Sequence, residues 1–597
     1  MGGFRCNFVP LQGASQLQTD KMTIQQTCIV HTQHVSNLDA TNHKCGLFTG
    51  NMVRGHIVDV ASKSIFDGAV SYRDGYVTGI TRCPVAADAP FIMPGLIDAH
   101  IHIESTLLTP ENYAALAVAK GVTGVVADPH EIANVIGIEG VDFMIRNGAG
   151  VHFNFNWGAS PCVPCTSFET PGASLGISEM AELLRWKEIC CVGEFMNAFG
   201  VISGDAMCLA KIEEGRKAGK PIDGHAPGLD RESLARYAAA GISTDHECVS
   251  LREALDHLSV GIDVIIREGS ASVDFEALSP LLADYREHLM FCSDDKYPDE
   301  MEHGYIDDMV RRSLKKGYPL WNVLNAACLE PVRHYNLNCG LLRVGDKADF
   351  ILVDNLEDFN VIGTYIDGMK VFGPDGVDPV ALRRQRSCGS GIPNRFEAEK
   401  IADEDIRLPW KYGEQARVIV ASDRSIRTCA ATCLPKVENG FAVADTATDM
   451  LKIVVLNRYA PAKPQVAFIS GFKLKRGAMA ATIAHDSHNI VAIGVEDASI
   501  VDAVNSIVEM RGGMVFCDGS RTISLPLPVA GLMSPLDGEV VAKKYAALRL
   551  MAQSQGCPFN APFMTMAFMS LPVIPELKIT DKGLFDVNKF AFTNLME

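Results

Sequence analysis

The chain has 597 residues, too many for one core, and 47% of them are hydrophobic, which supplies material for roughly two to four domains. Its 54 Lys and Arg stand against 72 Asp and Glu, a net charge of −18. That balance argues against nucleic acid or an anionic membrane as a bulk partner, because both demand a basic surface.

Residues 1–44 are polar and aperiodic, with neither the apolar core nor the cleavage pattern of a secretory signal, and read as a tail. No run of about eighteen apolar residues follows, so no transmembrane helix is expected. The 18 scattered cysteines fit reduced thiols in a cytoplasmic protein better than a disulfide framework. From 45 to 91 the chain reads as short strands at 46–48, 56–60 and 68–72. Asp74-Gly75, between two alternating runs, signals a hairpin.

From residue 92 strand and helix alternate. A strand ending in His100 and His102 comes first, then a helix at 110–120, a strand at 121–128 and a helix at 132–146. Further strands are expected at 150–156, 189–194, 221–225, 241–246, 263–267 and 289–294, with helices such as 178–187, 232–240 and 275–287 between them. Eight such units between 92 and 339 imply a parallel, closed (β/α)8 TIM-like barrel. Within it Cys162-Val163-Pro164-Cys165 is a single CxxC; a zinc ribbon needs four ligands, so it reads as a loop. Residues 340–376 return to β character and complete, with 45–91, a small composite β-sandwich into which the barrel is inserted. Residues 377–415, rich in Arg, Glu, Pro and Gly, read as a linker. Residues 416–597 form a C-terminal α+β domain with strands at 418–422 and 450–456 and a helix near 497–510.

In such a barrel a polar residue that ends an apolar strand faces the catalytic mouth. His100 and His102, two apart, share one face of the first strand, and paired imidazoles suit a transition metal. The second strand ends in Asp128, with His130 and Glu131 beyond it. The fourth gives Glu194, the fifth His225, the sixth His246 and the eighth Asp294 with Asp295. Each has a bland reading on its own: a satisfied core histidine, a structural ion pair for Glu194, a hydrogen-bonding or surface group for His130, Glu131 and Asp295. Buried together without a cation they are costly. His100, His102, Glu194, His225, His246 and Asp294 are the complement for two ions with one carboxylate bridging.

Pro94-Gly-Leu-Ile-Asp-Ala-His-Ile-His102, followed by Glu, His, His and Asp at strand ends, resembles the amidohydrolase superfamily. The resemblance is closest to the bacterial adenine deaminases. It rests on Ala127-Asp-Pro-His-Glu-Ile-Ala-Asn134, Val192-Gly-Glu-Phe-Met-Asn197, Asp223-Gly-His-Ala-Pro-Gly228, Thr244-Asp-His-Glu247, Phe291-Cys-Ser-Asp-Asp295 and Ala484-His-Asp-Ser-His-Asn-Ile490, and covers nearly everything after about residue 45. Glu194 holds the position where many binuclear relatives carry a carboxylated lysine. Lys296-Tyr297-Pro298 departs from the pattern, which has Arg and then a polar residue before the proline.

The resemblance implies hydrolysis of adenine to hypoxanthine and ammonia, a purine-salvage reaction, with two divalent ions, Mn2+ or Fe2+ before Zn2+, holding a hydroxide that attacks C6. Asp294 would act as general base and then acid, with Glu194 bridging and His246 as ligand or hydrogen-bond donor. Glu104, Asp128, His130, Glu131, Glu247 and Asp295 are the expected substrate contacts, with Glu104, Glu131 and Glu247 as candidates for the ring proton. The partner is a small molecule, and the assembly a homo-oligomer, a dimer. His485, Asp486, His488 and Asn489 read either as a lid over the barrel mouth or as a polar turn at a domain contact. Two rival readings are a cyclic-amide hydrolase on the same scaffold and a non-catalytic scaffold protein. The second typically loses metal ligands, and all six are present here.

Overall fold

A computed structural model describes residues 51–384 and 391–597, which belong to one compact unit. The tail at 1–44 and the strand expected at 46–48 lie outside the described residues, as do residues 385–390 of the expected linker.

The barrel strands are Leu96–Ile101 (β1), Val122–Ala127 (β2), Asn154–Ala159 (β3), Ile189–Phe195 (β4), Ile222–Gly224 (β5), Thr244–Asp245 (β6), Asp263–Arg267 (β7) and Leu289–Cys292 (β8). They pair in parallel, each with the next in sequence. Closure is made just beyond the end of β8. The Asp294 N–H donates to the His100 carbonyl at 3.0 Å, and the His102 N–H donates to the Asp294 carbonyl at 3.3 Å. These runs are rich in Ile and Val and nearly all buried, as a sheet covered on both faces requires.

Boundaries shifted where local chemistry intervened. The helix expected over 132–146 is two helices, His130–Ile136 and Ile138–Gly148, broken at Gly137, whose φ of 68° is left-handed. The helix expected over 275–287 shrinks to Phe275–Leu278 followed by a 3-10 turn at Ser279–Ala283, where Pro280 has no N–H to give.

Strands before and after the barrel join in one continuous eight-stranded sheet whose two halves face each other across a shared core, where Tyr72 packs on Phe350 and Tyr365 with ring centroids 5.8 and 6.2 Å away. Its central strand Phe91–Pro94 pairs in parallel with Asn51–Asp59 and antiparallel with Phe350–Val353, then runs into β1. The hairpin at Asp74-Gly75 joins Ser64–Arg73 to Tyr76–Arg82, both turn residues having positive φ.

The C-terminal region is built on a third eight-stranded sheet, mostly antiparallel, covered on one side by the helix Asp497–Met510. Phe396, Ile401 and Ile406, from the segment whose composition reads as a linker, are buried in that core. The helix Gly538–Ser554 docks on the barrel. There Tyr545 packs on Tyr297 with ring centroids 4.0 Å apart, and Arg549 Nε donates to Asp299 Oδ2 at 3.1 Å. Among the described residues no helix is long and apolar enough to cross a membrane.

Candidate metal centre and active site

The six expected ligands meet at the C-terminal mouth of the barrel, all buried. Glu194, at the end of β4, stands among them. Its Oε1 lies 3.1 Å from His102 Nε2 and 4.0 Å from His100 Nε2; its Oε2 lies 2.7 Å from His225 Nδ1 and 3.4 Å from His246 Nε2. One oxygen therefore faces His100 and His102, with His130 Nδ1 also 3.4 Å away, and the other faces His225 and His246. Asp294 Oδ1 is 3.1 Å from His102 Nε2 and 3.7 Å from His100 Nε2. The His246 ring stacks on His100 at 4.1 Å.

The donor atoms fit divalent cations. His102 Nδ1 is 3.0 Å from the Asp128 carbonyl oxygen, so in the neutral ring that nitrogen carries the proton. Nε2 then turns a lone pair toward two carboxylate oxygens and toward His100 Nε2, 3.2 Å away. Electron pairs facing electron pairs in a buried site call for positive charge between them. The buried His225 Nε2 also has no hydrogen-bond partner. Three-residue sets with ligand atoms in mutual reach include His100, Glu194 and His246; His100, His102 and Asp294; and His225, His246 and Glu247.

The strand ends are aimed by specific supports. Asp294 has φ of 54°, a left-handed conformation that costs a non-glycine residue about 1 kcal/mol, and its two backbone bonds to β1 hold it there. Asp98, inside β1, ties the two strands together: its Oδ1 accepts the N–H groups of His100 at 3.2 Å and Ser293 at 3.1 Å, and its Oδ2 accepts the Ser293 hydroxyl at 2.6 Å. Burial pushes the Asp98 carboxyl up to about 6. At β5 the His225 N–H donates to Tyr237 Oη at 3.1 Å, and that hydroxyl donates to the Phe195 carbonyl at 2.6 Å. Asp128 lies beneath Glu194, accepting the Glu194 N–H at Oδ2 (2.9 Å) and the Ser160 hydroxyl at Oδ1. A Cβ at Gly193 would sit 2.1 Å from Asp128 Oδ2, so only glycine admits this contact.

Arg267, the last residue of β7, was not among the residues singled out from the sequence. It is fully buried; Nη1 donates to Glu247 Oε1 and, at 2.9 Å, to Asp294 Oδ2, while Nε donates to Asp274 Oδ2 at 2.9 Å. The rule that points to the expected ligands, a polar residue closing an apolar strand, picks out Arg267 equally, as a partner of their charge rather than as a ligand. Burial opposes ionisation of Asp294, but His102, Arg267 and His246 outweigh it and hold the carboxyl well below the usual range. Burial likewise opposes ionisation of Glu194, and hydrogen bonds with His102, His225 and His246 win there.

A small cavity of about 20 Å³ lies against this cluster. On the barrel side His102, His130, Glu131, Glu194, Met196, His225, His246, Glu247, Asp294 and Asp295 line it. Ile426, His485, Asp486, Phe568 and Leu571, all from the C-terminal region, line the rest. His485 Nδ1 is 2.7 Å from Glu131 Oε1, and His488 Nε2 touches Glu131 Oε2 without hydrogen-bond alignment. His130 Nδ1 is 3.4 Å from Glu194 Oε1, and Asp295 accepts the Ser105 hydroxyl.

Two expected substrate contacts do not line the cavity. Asp128 is turned under Glu194, and Glu104 accepts the Ile132 N–H at 3.1 Å in a buried turn after β1, where burial pushes its carboxyl up to about 7. The motif in which each sits ends at the mouth, but these side chains point behind it. Of the C-terminal polar cluster, His485 and Asp486 reach the cavity. His488 and Asn489 stand behind them, and Asn489 Nδ2 donates to the Thr170 carbonyl at 3.1 Å. Lys296 turns away and donates to the Glu268 carbonyl at 3.0 Å. Cys162 and Cys165 are buried thiols; burial pushes Cys162 up to about 11, and Cys165 donates to Glu169 Oε1 at 2.9 Å. Ile426, Phe568 and Leu571 were missed, since apolar residues in loops carry no sequence signal of a site.

Two family models match the chain: the amidohydrolase family over residues 91–371 and the adenine deaminase C-terminal domain over residues 425–591. A protein of Salinibacter ruber named adenine deaminase is 45% identical over 546 residues, which is 91% of this chain and 98% of that protein. The chain belongs to the adenine deaminase family. Two further members, from Methanosarcina barkeri and a Sulfurovum species, are 45% and 46% identical over 550 and 541 residues, covering 98% of each. Membership of the amidohydrolase superfamily implies divalent-metal binding, and the clustered imidazoles and carboxylates of this adenine deaminase relative are the groups to provide it.

Proposed function

We propose that this protein hydrolyses adenine to hypoxanthine and ammonia, a purine-salvage reaction, at two divalent ions held by His100, His102, Glu194, His225, His246 and Asp294. The observation that carries the reading is Glu194, with one oxygen toward His100 and His102 and the other toward His225 and His246. The mixed nitrogen and oxygen donors, with no thiolate, suit Mn2+ or Fe2+, and also Zn2+. Ions bound there supply a water acidic enough to be a nucleophile at neutral pH.

The residues of the chain do the rest. Asp294, kept ionised beside Arg267, accepts the proton of the attacking water and returns it to the departing amine. Glu247 is pinned by Arg267, and Glu131 by His485. Both line the cavity and steer a proton to the purine ring as C6 becomes tetrahedral; Glu104 is too far back to serve. His130 and Asp295 complete the polar wall beside them. The C-terminal side chains exclude bulk water, which strengthens each charge interaction inside.

The test is ammonia release by metal-loaded protein given adenine, adenosine, cytosine or a cyclic amide. Turnover of adenine is expected. Ring opening of the cyclic amide without deamination of adenine would replace this reading with amide hydrolysis.

A further inference from the structure

The cavity wall contributed by the C-terminal region carries two polar atoms that the protein leaves without partners. Asp486 Oδ2 and His485 Nε2 are buried, make no hydrogen bond, and belong to residues that line the cavity. Their orientation is fixed from behind. His485 Nδ1 meets Glu131 Oε1 at 2.7 Å, and its ring stacks on Phe568 with centroids 4.3 Å apart and planes inclined by 24°. Asp486 Oδ1 faces His130 Nε2 at 3.7 Å and His485 Nδ1 at 3.9 Å. Burial works against a charge on His485, but Glu131 and Asp295 outweigh it and lift the imidazole to about 9, so Nε2 bears a hydrogen at neutral pH. The wall therefore presents one donor and one acceptor from adjacent residues. Left unmet, each would cost on the order of 1–3 kcal/mol.

Purine chemistry supplies the match. If C6 lies against the metal cluster, the atom directly across the six-membered ring is N3, and N9 adjoins it through C4. N3 accepts a hydrogen bond and, in the free base, N9–H donates one. We propose that His485 and Asp486 are specificity-determining residues that read this edge, with His485 Nε2–H donating to N3 and N9–H donating to Asp486 Oδ2. The inference rests on the deaminase reading and assigns two residues of this chain to the far edge of the base. A sugar on N9 removes the donor and places bulk against Asp486 and Phe568, which line the cavity. Sites built to bond a donor reject analogues lacking it more strongly than apolar sites reject added bulk.

The experiment compares kcat/KM for adenine and 9-methyladenine in the full-length, metal-loaded wild type, Asp486→Ala and Asp486→Asn, with metal content and circular dichroism measured on each. Wild type is expected to prefer adenine by about 100-fold or more. Asp486→Ala should lose about 10- to 100-fold on adenine, with 9-methyladenine turnover held or raised. Asp486→Asn, which keeps an acceptor oxygen, should recover part of the preference. Equal use of both substrates by wild type overturns the proposal whether or not the variants fold, and so does an equal loss, or no loss, on both in Asp486→Ala. If wild type turns over adenine and these comparisons fail, only the edge-reading falls. If wild type releases no ammonia from adenine, the deaminase reading falls and this inference with it.

Discussion

The two walls of the cavity are built on different principles. The barrel wall is made of strand ends locked by backbone pairing and by a network of charged side chains, with Asp98 joining β1 to β8 and Arg267 joining β7 to Glu247 and Asp294. The C-terminal wall is made of residues from loops and one short 3-10 turn, held by apolar packing, by carbonyls and, at His485, by the Glu131 carboxylate. Lys578 Nζ, for example, donates to the carbonyls of Ile426 at 2.8 Å and Phe568 at 3.0 Å. On the proposed reading, chemistry that needs fixed charge sits on the first wall, and fit to the substrate is set by the second. Damage to the barrel wall should destroy turnover or metal binding. Damage to the C-terminal wall should weaken substrate binding while the reaction survives.

The largest expected effect is Asp294→Asn, which removes both proton-transfer roles and should lower kcat for ammonia release by about 1,000-fold or more. Near-normal turnover would take Asp294 out of the scheme. Glu194→Gln should bring bound metal down from about two ions per chain, read by elemental analysis after dialysis; unchanged content would mean that Glu194 bridges nothing. Arg267→Met leaves Glu247, Asp274 and Asp294 buried without their cation and should cost about 3–5 kcal/mol of stability in urea unfolding. Phe568→Ala, on the opposite wall, should raise KM for adenine by roughly 10-fold with metal content intact. A fall in kcat with KM unchanged would place Phe568 in the chemistry and blur the division between the walls.

The effect furthest from the chemistry is on pH dependence. Burial pushes the Lys578 ammonium down from 10.5 to about 7. As a neutral amine it has two N–H bonds, the number of carbonyls it meets. Between pH 7 and 10.5 the unfolded chain holds a proton that the folded chain has shed, so stability rises with pH across that window. Below pH 7 both states are protonated and the burial cost is felt in full. Compared with Lys578→Met, wild type should gain up to about 1.4 kcal/mol per pH unit from pH 7 to 9. Parallel stability curves for the two proteins would show that Lys578 does not titrate there.

The barrel wall was legible because strand periodicity and strand-end polarity are local properties. His100, His102, Glu194, His225, His246 and Asp294 each follow an apolar run, and the fold brings such ends together. Arg267 obeys the same rule, but a cation is not a metal ligand, so a search for ligands does not pick it out. Asp98 was hidden inside its strand, where alternation gave no hint of a partner on Ser293. Asp128 ends its strand and Glu104 follows the His pair closely, yet side-chain direction, which neither signal encodes, puts both behind the cavity. The C-terminal wall was mostly illegible. The His485 cluster stood out by composition, but Ile426, Phe568 and Leu571 reach the site only through long-range docking that no local pattern encodes.

The central claim is that Glu194 sits between two cations that are both needed for deamination. It is tested most directly by adding Mn2+ in steps to metal-free protein while following ammonia release from adenine. The account predicts activity that climbs until about two equivalents per chain are bound and then levels off. Full activity at one equivalent would contradict it.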